Sequence, residues 1–175
     1  MSLEPLAAAL LRARTVLTRR PDMGLHQDSA ATVRWQGGTR NVVSHDNGTR
    51  LETDMSTELG GSGDRVTPGW LFRAGVASCA VTTIAMRAAM EGVELTTLEA
   101  RVESRSDTRG LLGMATTDGT PIEAAPRAMR LHVRIAASGA TEAALRGLVD
   151  RACGCSPVPR ALTGQTALDV AVELA

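Results

Sequence analysis

A long apolar stretch at residues 69–90 constrains the fold of this 175-residue chain more than any other feature. Thr67 is suited to cap a helix there, and Pro68 is suited to its first turn, where a backbone N–H has no partner anyway. Gly92 provides a stop. Only two arginines and a few hydroxyl groups interrupt the stretch. A helix that is apolar on most sides has to be covered, so we predict a central helix packed under a sheet or another subunit.

Alternating polar and apolar residues predict strands on both sides of this helix. Further helices are expected at residues 3–20 and 141–152, and Asn47-Gly48 is a strong hairpin signal. The strands are expected at residues 30–35, 41–44, 49–54, 98–104, 128–136 and 167–174. This order, βββ-α-ββ-α-β behind an N-terminal helix, is typical of an α+β fold with an antiparallel sheet. We therefore divide the chain into a helical extension, residues 1–28, and one folded domain, residues 29–175.

Composition narrows the classes of function. The 19 basic and 19 acidic residues balance, so the sequence offers no basis for binding nucleic acid or an anionic membrane. All the basic residues are arginines, which excludes Schiff-base chemistry and lysine bases. The chain has two tryptophans, one phenylalanine and no tyrosine. Its core is therefore built from small aliphatic side chains that bury little area each, and we expect an oligomer.

The same composition bears on the compartment. No apolar run is expected to be long enough to span a bilayer, so no membrane contact is expected. The order of apolar and basic residues in the first 20 positions is unlike that of a signal peptide. The cytoplasm is therefore expected, where three cysteines are more often reduced or reactive than joined in structural disulfides.

The three cysteines are the candidates for chemistry. Cys79 lies inside the apolar helix, and Cys153 and Cys155 precede the turn at residues 156–159. A thiol reacts as its thiolate, which burial disfavours, so a reactive Cys79 needs a nearby cation, here an arginine. The alternative is a core cysteine that packs as a small hydrophobe. The later pair is either a second thiol for an oxidised partner or two incidental thiols; it is too small a ligand set for a metal.

A glycine-rich loop, residues 60–63, precedes the apolar helix. It could cradle an anion at the helix N-terminus, but the chain has no lysine to complete a P-loop. We interpret it as a flexible loop. Glu58 at its edge could hold an arginine toward the thiol, and the alternative is a solvated surface carboxylate.

Two segments of the chain resemble the OsmC/Ohr family of osmotically inducible and organic-hydroperoxide-resistance proteins. The first carries a Glu-Leu-Gly-Gly loop and a helix that starts at proline and reaches an Ala-Ser-Cys run, namely Glu58-Leu59-Gly60-Gly61, Pro68 and Ala77-Ser78-Cys79. The second is Ser156-Pro157-Val158, where the family has Cys-Pro-Val. The resemblance covers roughly residues 30–175. It implies a domain-swapped homodimer with two long antiparallel sheets around two central helices and active sites at the subunit interface.

The resemblance also implies a reaction, the thiol-dependent reduction of organic hydroperoxides. Cys79 would be the peroxidatic thiol, oxidised to a sulfenic acid, and Glu58 the carboxylate that positions an arginine. Ser156 stands at the second-cysteine position, so Cys155, one residue earlier, is the candidate resolving thiol. Arg40 is the nearest match for the arginine, and the alternatives are Arg34 and Arg73.

No metal, flavin or nucleotide cofactor is implied, and an external thiol or dithiol would regenerate the enzyme. The competing interpretation is a non-catalytic protein that binds a small apolar ligand at the dimer interface. In that case Cys79 would serve packing alone.

Overall fold

The computed structural model describes residues 3–164 and 166–174. The chain forms two compact units, Met1–Gly75 and Val76–Ala175. The elements in chain order are α1 Glu4–Arg19, β1 Thr32–Trp35, β2 Asn41–Ser44, β3 Arg50–Thr53, α2 Pro68–Met90, β4 Leu95–Arg105, α3 Thr108–Leu111, β5 Arg127–Ala137, α4 Glu142–Gly154 and α5 Pro157–Thr163. Short 3-10 turns occupy Pro21–Gly24 and Thr57–Leu59. Helices mixed with two antiparallel sheets confirm the predicted α+β class.

The first unit holds α1 and a three-stranded antiparallel sheet in the order β1-β2-β3. Val43 of β2 pairs with Val33 of β1 and with Leu51 of β3. The predicted hairpin is confirmed: the Gly48 N–H donates to the His45 carbonyl over 2.9 Å, and Gly48 has φ +90°, which favours glycine. No residue of α1, over positions 4–19, is buried.

Helix α2 begins in the first unit and ends in the second. The hydroxyl of Thr67 accepts a hydrogen bond from the Trp70 N–H over 3.2 Å, which confirms the predicted cap. Four of the five buried positions recur every fourth residue and form a ridge, at Val76, Ala80, Ile84 and Ala88, and Ala89 is the fifth. Other apolar side chains of the helix are exposed, among them Trp70 at 48%. The single chain thus covers one face of α2 only.

By length and composition alone α2 could cross a membrane. The expectation that no apolar run reaches that length is therefore wrong. The finding is weak as a sign of a membrane, because the core helix of a water-soluble protein passes the same test.

The second unit pairs two 11-residue antiparallel strands, β4 and β5, with Ala100 opposite Val133. The predicted alternation along β5 is confirmed, since every second side chain is less exposed than its neighbours between residues 129 and 135. Thr141 caps α4 by accepting from the Ala144 N–H over 3.2 Å, as predicted. Leu148 and Ala152 bury the inner face of α4.

Two expectations in the C-terminal part are wrong. The turn expected at residues 156–159 is the start of α5, because Pro157 takes the first helical position, where proline is favoured. The strand expected at residues 167–174 is neither strand nor helix. Its apolar side chains are 79–90% exposed, since no neighbouring strand covers them, at Leu168, Val170, Val172 and Leu174. Domain swapping and the boundary at residue 28 stay predictions.

Candidate active site

The Cys79 thiol sits in a small polar cluster on the second-unit part of α2. Its Sγ lies 3.2 Å from the Oγ of Ser156, and Ser156 is fully buried. Thr83, one helical turn after Cys79, places its Oγ1 3.1 Å from the Ser156 Oγ and 2.8 Å from the Cys79 carbonyl oxygen. Residues four apart share one face of a helix, so the spacing alone brings Thr83 under Cys79.

Ser156 reaches this cluster because of a local break in the chain. Cys155 ends α4, Ser156 has extended backbone angles of φ −80° and ψ 117°, and Pro157 starts α5. The serine hydroxyl does not cap α5. It is therefore available to α2, where it meets the Cys79 sulfur.

Cys79 lines a cavity of about 480 Å³. Its lining is mostly apolar and hydroxyl-bearing, and Arg87 is the cation among the lining residues, which are Cys79, Thr82, Thr83, Met86, Arg87, Met90, Cys155 and Pro157. The sequence analysis did not consider Arg87 as the cation. Its signal was the spacing, since Cys79, Thr83 and Arg87 follow one another at intervals of four.

Arg87 belongs to a charged group at the edge of this cavity. Its Nη2 lies 3.6 Å from the Cys155 Sγ, and its Nε lies 3.9 Å from the Glu91 carboxylate. Arg151 of α4 donates to the same carboxylate over 2.7 Å. The hydrogen bond from Arg151 lowers the pKa of Glu91, so this carboxylate stays ionised. Two arginines therefore share one carboxylate close to Cys155.

The two later cysteines differ in their surroundings. Cys155 is exposed and lines the cavity of Cys79. Its thiol donates to the Ala152 carbonyl over 3.3 Å. Cys153 is half-buried, and burial raises the pKa of its thiol, with smaller effects from Asp150 and Cys155. The structure thus places Cys155, rather than Cys153, with Cys79. Within residues 3–164 and 166–174, no group of three or more His, Cys, Asp or Glu side chains is placed to hold a metal ion.

Arg40 and Glu58 lie in the first unit. The Arg40 guanidinium donates to Asp54 over 3.1 Å and to Ser62 over 2.6 Å, and it also pairs with Asp64. The pKa of Glu58 is lowered by a hydrogen bond to its own backbone amide and then by the Ser56 hydroxyl. Their predicted roles beside the thiol stay predictions, as do those of the two alternatives on β1 and α2, Arg34 and Arg73.

The glycine-rich loop binds an anion, and that anion is a side chain of the protein. Asp54 is 3% exposed, and its carboxylate accepts from the backbone and the hydroxyl of Ser62 over 3.1 and 2.7 Å. Hydrogen bonds from Thr39 and Ser62 hold the pKa of Asp54 well below its usual range. A Cβ at Gly61 would lie 2.0 Å from the Met55 carbonyl oxygen, so only glycine fits this approach. The interpretation as a flexible loop stays a prediction.

A family model for OsmC-like proteins matches residues 61–171, well over half of the chain. The chain belongs to the OsmC-like family. An OsmC-like protein from Mycoplasma pneumoniae superposes with a TM-score of 0.66 at 17% identity, covering 81% of this chain and 91% of its own. An organic hydroperoxide resistance protein OsmC from Legionella pneumophila superposes with a TM-score of 0.57 at 23% identity, covering 80% of this chain and 92% of its own.

An organic hydroperoxide resistance protein from Elizabethkingia anophelis is similar at a TM-score of 0.55 and 21% identity, covering 81% of this chain and 91% of its own. No curated protein gives a significant sequence match. At these identities the solved structures establish the fold, and the family model confirms the resemblance seen in the sequence.

The structure shows which atoms surround Ser156 in this OsmC-like chain. Ser156, which the sequence resemblance aligns with the family's second cysteine, contacts the Cys79 sulfur directly. A hydroxyl there can donate a hydrogen bond to a thiolate but cannot form a disulfide with it. Cys155 lines the cavity next to it and is the thiol that remains available.

Proposed function

We propose that this protein is a cysteine-based peroxidase that reduces organic hydroperoxides with Cys79 as the nucleophile. The observation that carries the proposal is a thiol that opens into a cavity of about 480 Å³ while a buried hydroxyl contacts its sulfur. Membership of the OsmC-like family, and solved structures of similar fold that are named organic hydroperoxide resistance proteins, support the reaction class.

The first step consumes the peroxide. The Cys79 thiolate attacks the terminal oxygen of R–O–O–H, an S–O bond forms, and the O–O bond breaks. The leaving alkoxide takes a proton and departs as the alcohol. Sulfur is oxidised by two electrons to a sulfenic acid, and the peroxide is reduced by two.

The second step restores the thiol. The Cys155 thiolate attacks the sulfur of the sulfenic acid, the S–S bond forms as the S–O bond breaks, and the leaving hydroxide takes a proton and departs as water. An external dithiol, the proposed reductant, then reduces the disulfide and becomes oxidised itself. The Arg87 Nη2 lies 3.6 Å from the Cys155 sulfur and donates a hydrogen bond to it.

We further propose that the working form is a homodimer. One face of α2 is buried in the single chain, whereas Trp70 and Phe72 are 48% and 40% exposed. Exposed apolar side chains of this size on a helix are typical of surfaces covered by a partner. Arg40 and Glu58 keep their predicted roles in the proposal, and their single substitutions to Ala and Gln test them.

Peroxide consumption by cysteine variants tests the reaction. Cys79→Ser is expected to abolish reduction of a tertiary alkyl hydroperoxide. Cys155→Ser should allow one oxidation and then accumulate the sulfenic acid, which a carbon nucleophile traps for mass spectrometry. Cys153→Ser is the matched control and should keep turnover. A wild-type Cys79 that reacts with the peroxide no faster than free cysteine would refute the peroxidase.

A second function is favoured by one observation. Ser156 replaces the family's second cysteine, and much of the cavity lining is apolar, with Met86, Met90 and Pro157. A non-catalytic protein that binds a small apolar ligand would fit both features. Cys79→Ala would then keep ligand binding, as measured by calorimetry, and the wild type would not consume peroxide.

A further inference from the structure

The three side chains of the Cys79 cluster form a continuous series of hydrogen bonds. The Cys79 sulfur contacts the Ser156 Oγ over 3.2 Å, and either atom can be the donor. The Thr83 hydroxyl donates to the Ser156 Oγ over 3.1 Å. The Thr83 hydroxyl also reaches the Cys79 carbonyl oxygen over 2.8 Å. The series of hydrogen bonds therefore begins at the Cys79 sulfur and ends at the Cys79 carbonyl oxygen.

The number of protons determines which hydrogen bonds these three side chains can form. Each hydroxyl carries one proton and can accept as well. When Cys79 is a thiol, its S–H donates to the Ser156 oxygen, and Thr83 donates either to the Ser156 oxygen or to the Cys79 carbonyl. When Cys79 is a thiolate, the Ser156 O–H turns to the sulfur. Thr83 then donates either to the carbonyl or to the Ser156 oxygen. Both protonation states of Cys79 leave the fully buried Ser156 hydroxyl satisfied.

We propose that Ser156 and Thr83 form a two-hydroxyl switch that follows the protonation of Cys79 and stabilises its thiolate. Ser156 is a positioning residue that acts through the sulfur, and Thr83 orients Ser156. The inference deepens the proposed peroxidase, because it says how this chain activates the nucleophile where the family motif has a cysteine. It does not depend on peroxide being the substrate.

Arg87 is the charged side chain that lines the same cavity, and Glu91 and Arg151 form ion pairs beside it. Arg87 lies on α2 two turns after Cys79 and donates to the Cys155 sulfur at the end of α4. Glu91 neutralises part of this charge and is shared with Arg151. The Ser156 hydroxyl differs from these charged side chains because it touches the Cys79 sulfur.

The pH profile of alkylation tests the switch. All variants are made in a Cys153→Ser/Cys155→Ser background, so that Cys79 is the single thiol and iodoacetamide reports on it alone. Ser156→Ala is expected to move the midpoint of the profile to higher pH by about one unit, because a hydrogen bond to a charged group is lost. At pH values below the midpoint this corresponds to roughly tenfold less thiolate.

Matched variants separate the switch from packing. Thr83→Val should shift the midpoint in the same direction by a smaller amount, and Thr83→Ser should restore it. Ser78→Ala changes an exposed serine next to Cys79 on the same helix and should leave the midpoint in place. Circular dichroism identifies any variant that fails to fold, and the thiolate absorbance provides a second measure of ionisation. If Ser156→Ala does not fold, the comparison of Thr83→Val with Thr83→Ser still decides.

The possible results are distinct. An unchanged or lowered midpoint of the pH profile in folded Ser156→Ala overturns the switch. The same conclusion follows if Thr83→Val and Thr83→Ser have the same midpoint. If the wild type consumes peroxide in that case, the peroxidase stands without the switch. If Ser156→Ala shifts the midpoint and the wild type consumes no peroxide, the switch stands and the peroxidase fails.

Discussion

The contact between Ser156 and Cys79 predicts that Ser156→Cys would create a disulfide. The Ser156 Oγ already lies 3.2 Å from the Cys79 sulfur. A disulfide joins sulfur atoms about 2.0 Å apart with Cβ atoms about 3.8 Å apart. The longer carbon–sulfur bond of the new side chain, together with a small rotation about χ1, brings the two sulfurs within bonding reach. We therefore expect the bond to form without a rearrangement of α2 or α5.

The size of the effect follows from the separation in sequence. The two residues are 77 positions apart, so the crosslink closes a long loop in the unfolded chain. The loop-entropy relation gives a stabilisation of about 4.5 kcal/mol at 25 °C for a loop of this length. For a chain of this size such a change raises the melting temperature by roughly 10–15 °C. Strain in the folded state would reduce this figure, so it is an upper value.

The measurement compares oxidised with reduced protein in a Cys153→Ser/Cys155→Ser background. Mass spectrometry should show the loss of two hydrogens in Ser156→Cys, and non-reducing electrophoresis should show no crosslinked dimer. Val158→Cys is the matched control: Val158 lies two residues further on and is 37% exposed, so it should stay unbridged. Failure of Ser156→Cys to form an intramolecular bond under mild oxidation would contradict the placement of Ser156 against Cys79.

Three further predictions concern the rest of the chain. Ile84→Ala should lower the free energy of unfolding in urea by about 2–5 kcal/mol and Ile84→Val by about 1 kcal/mol, because Ile84 is fully buried on the ridge of α2; a loss under 1 kcal/mol for Ala would contradict that placement. The pKa of Asp54 is lowered in the folded state, so its stabilisation is present above its usual pKa of 3.8 and is lost as the pH falls toward the folded value. Asp54→Asn should therefore flatten the acid side of the stability curve, and an unchanged curve would refute this assignment. At neutral pH iodoacetamide should label Cys155 before Cys153, because burial raises the pKa of the Cys153 thiol, and peptide mapping that finds equal rates would count against the geometry.

Local signals predicted most of the regular structure. The caps at Thr67 and Thr141 formed as expected because each depends on a side chain and an N–H three residues away. The hairpin at Gly48 depends in the same way on one residue that tolerates a positive φ. The patterns predict two of the three helices and all five strands before residue 140, because the apolar periods of these elements can be recognised without knowledge of their neighbours; the four-residue helix α3 is too short to show such a period.

The parts that sequence patterns missed depend on distant contacts. The meeting of Ser156 with Cys79 joins positions 77 apart, and no period in the sequence encodes it. Helix α5 was read as a turn because two prolines in four residues hide a short helix whose first position tolerates proline. Residues 167–174 have the alternation of a strand, but a strand also needs a neighbour, which the sequence pattern does not supply.

That C-terminal segment has a practical consequence. Four large apolar side chains stand at every second position of residues 168–174, each at least 79% exposed. Exposed apolar side chains in this alternating pattern can pair with a free sheet edge. Any association through this segment would depend on the protein concentration, so a dilution series belongs beside every kinetic measurement. An affinity tag is better placed at the N-terminus, where it does not alter this exposed apolar segment.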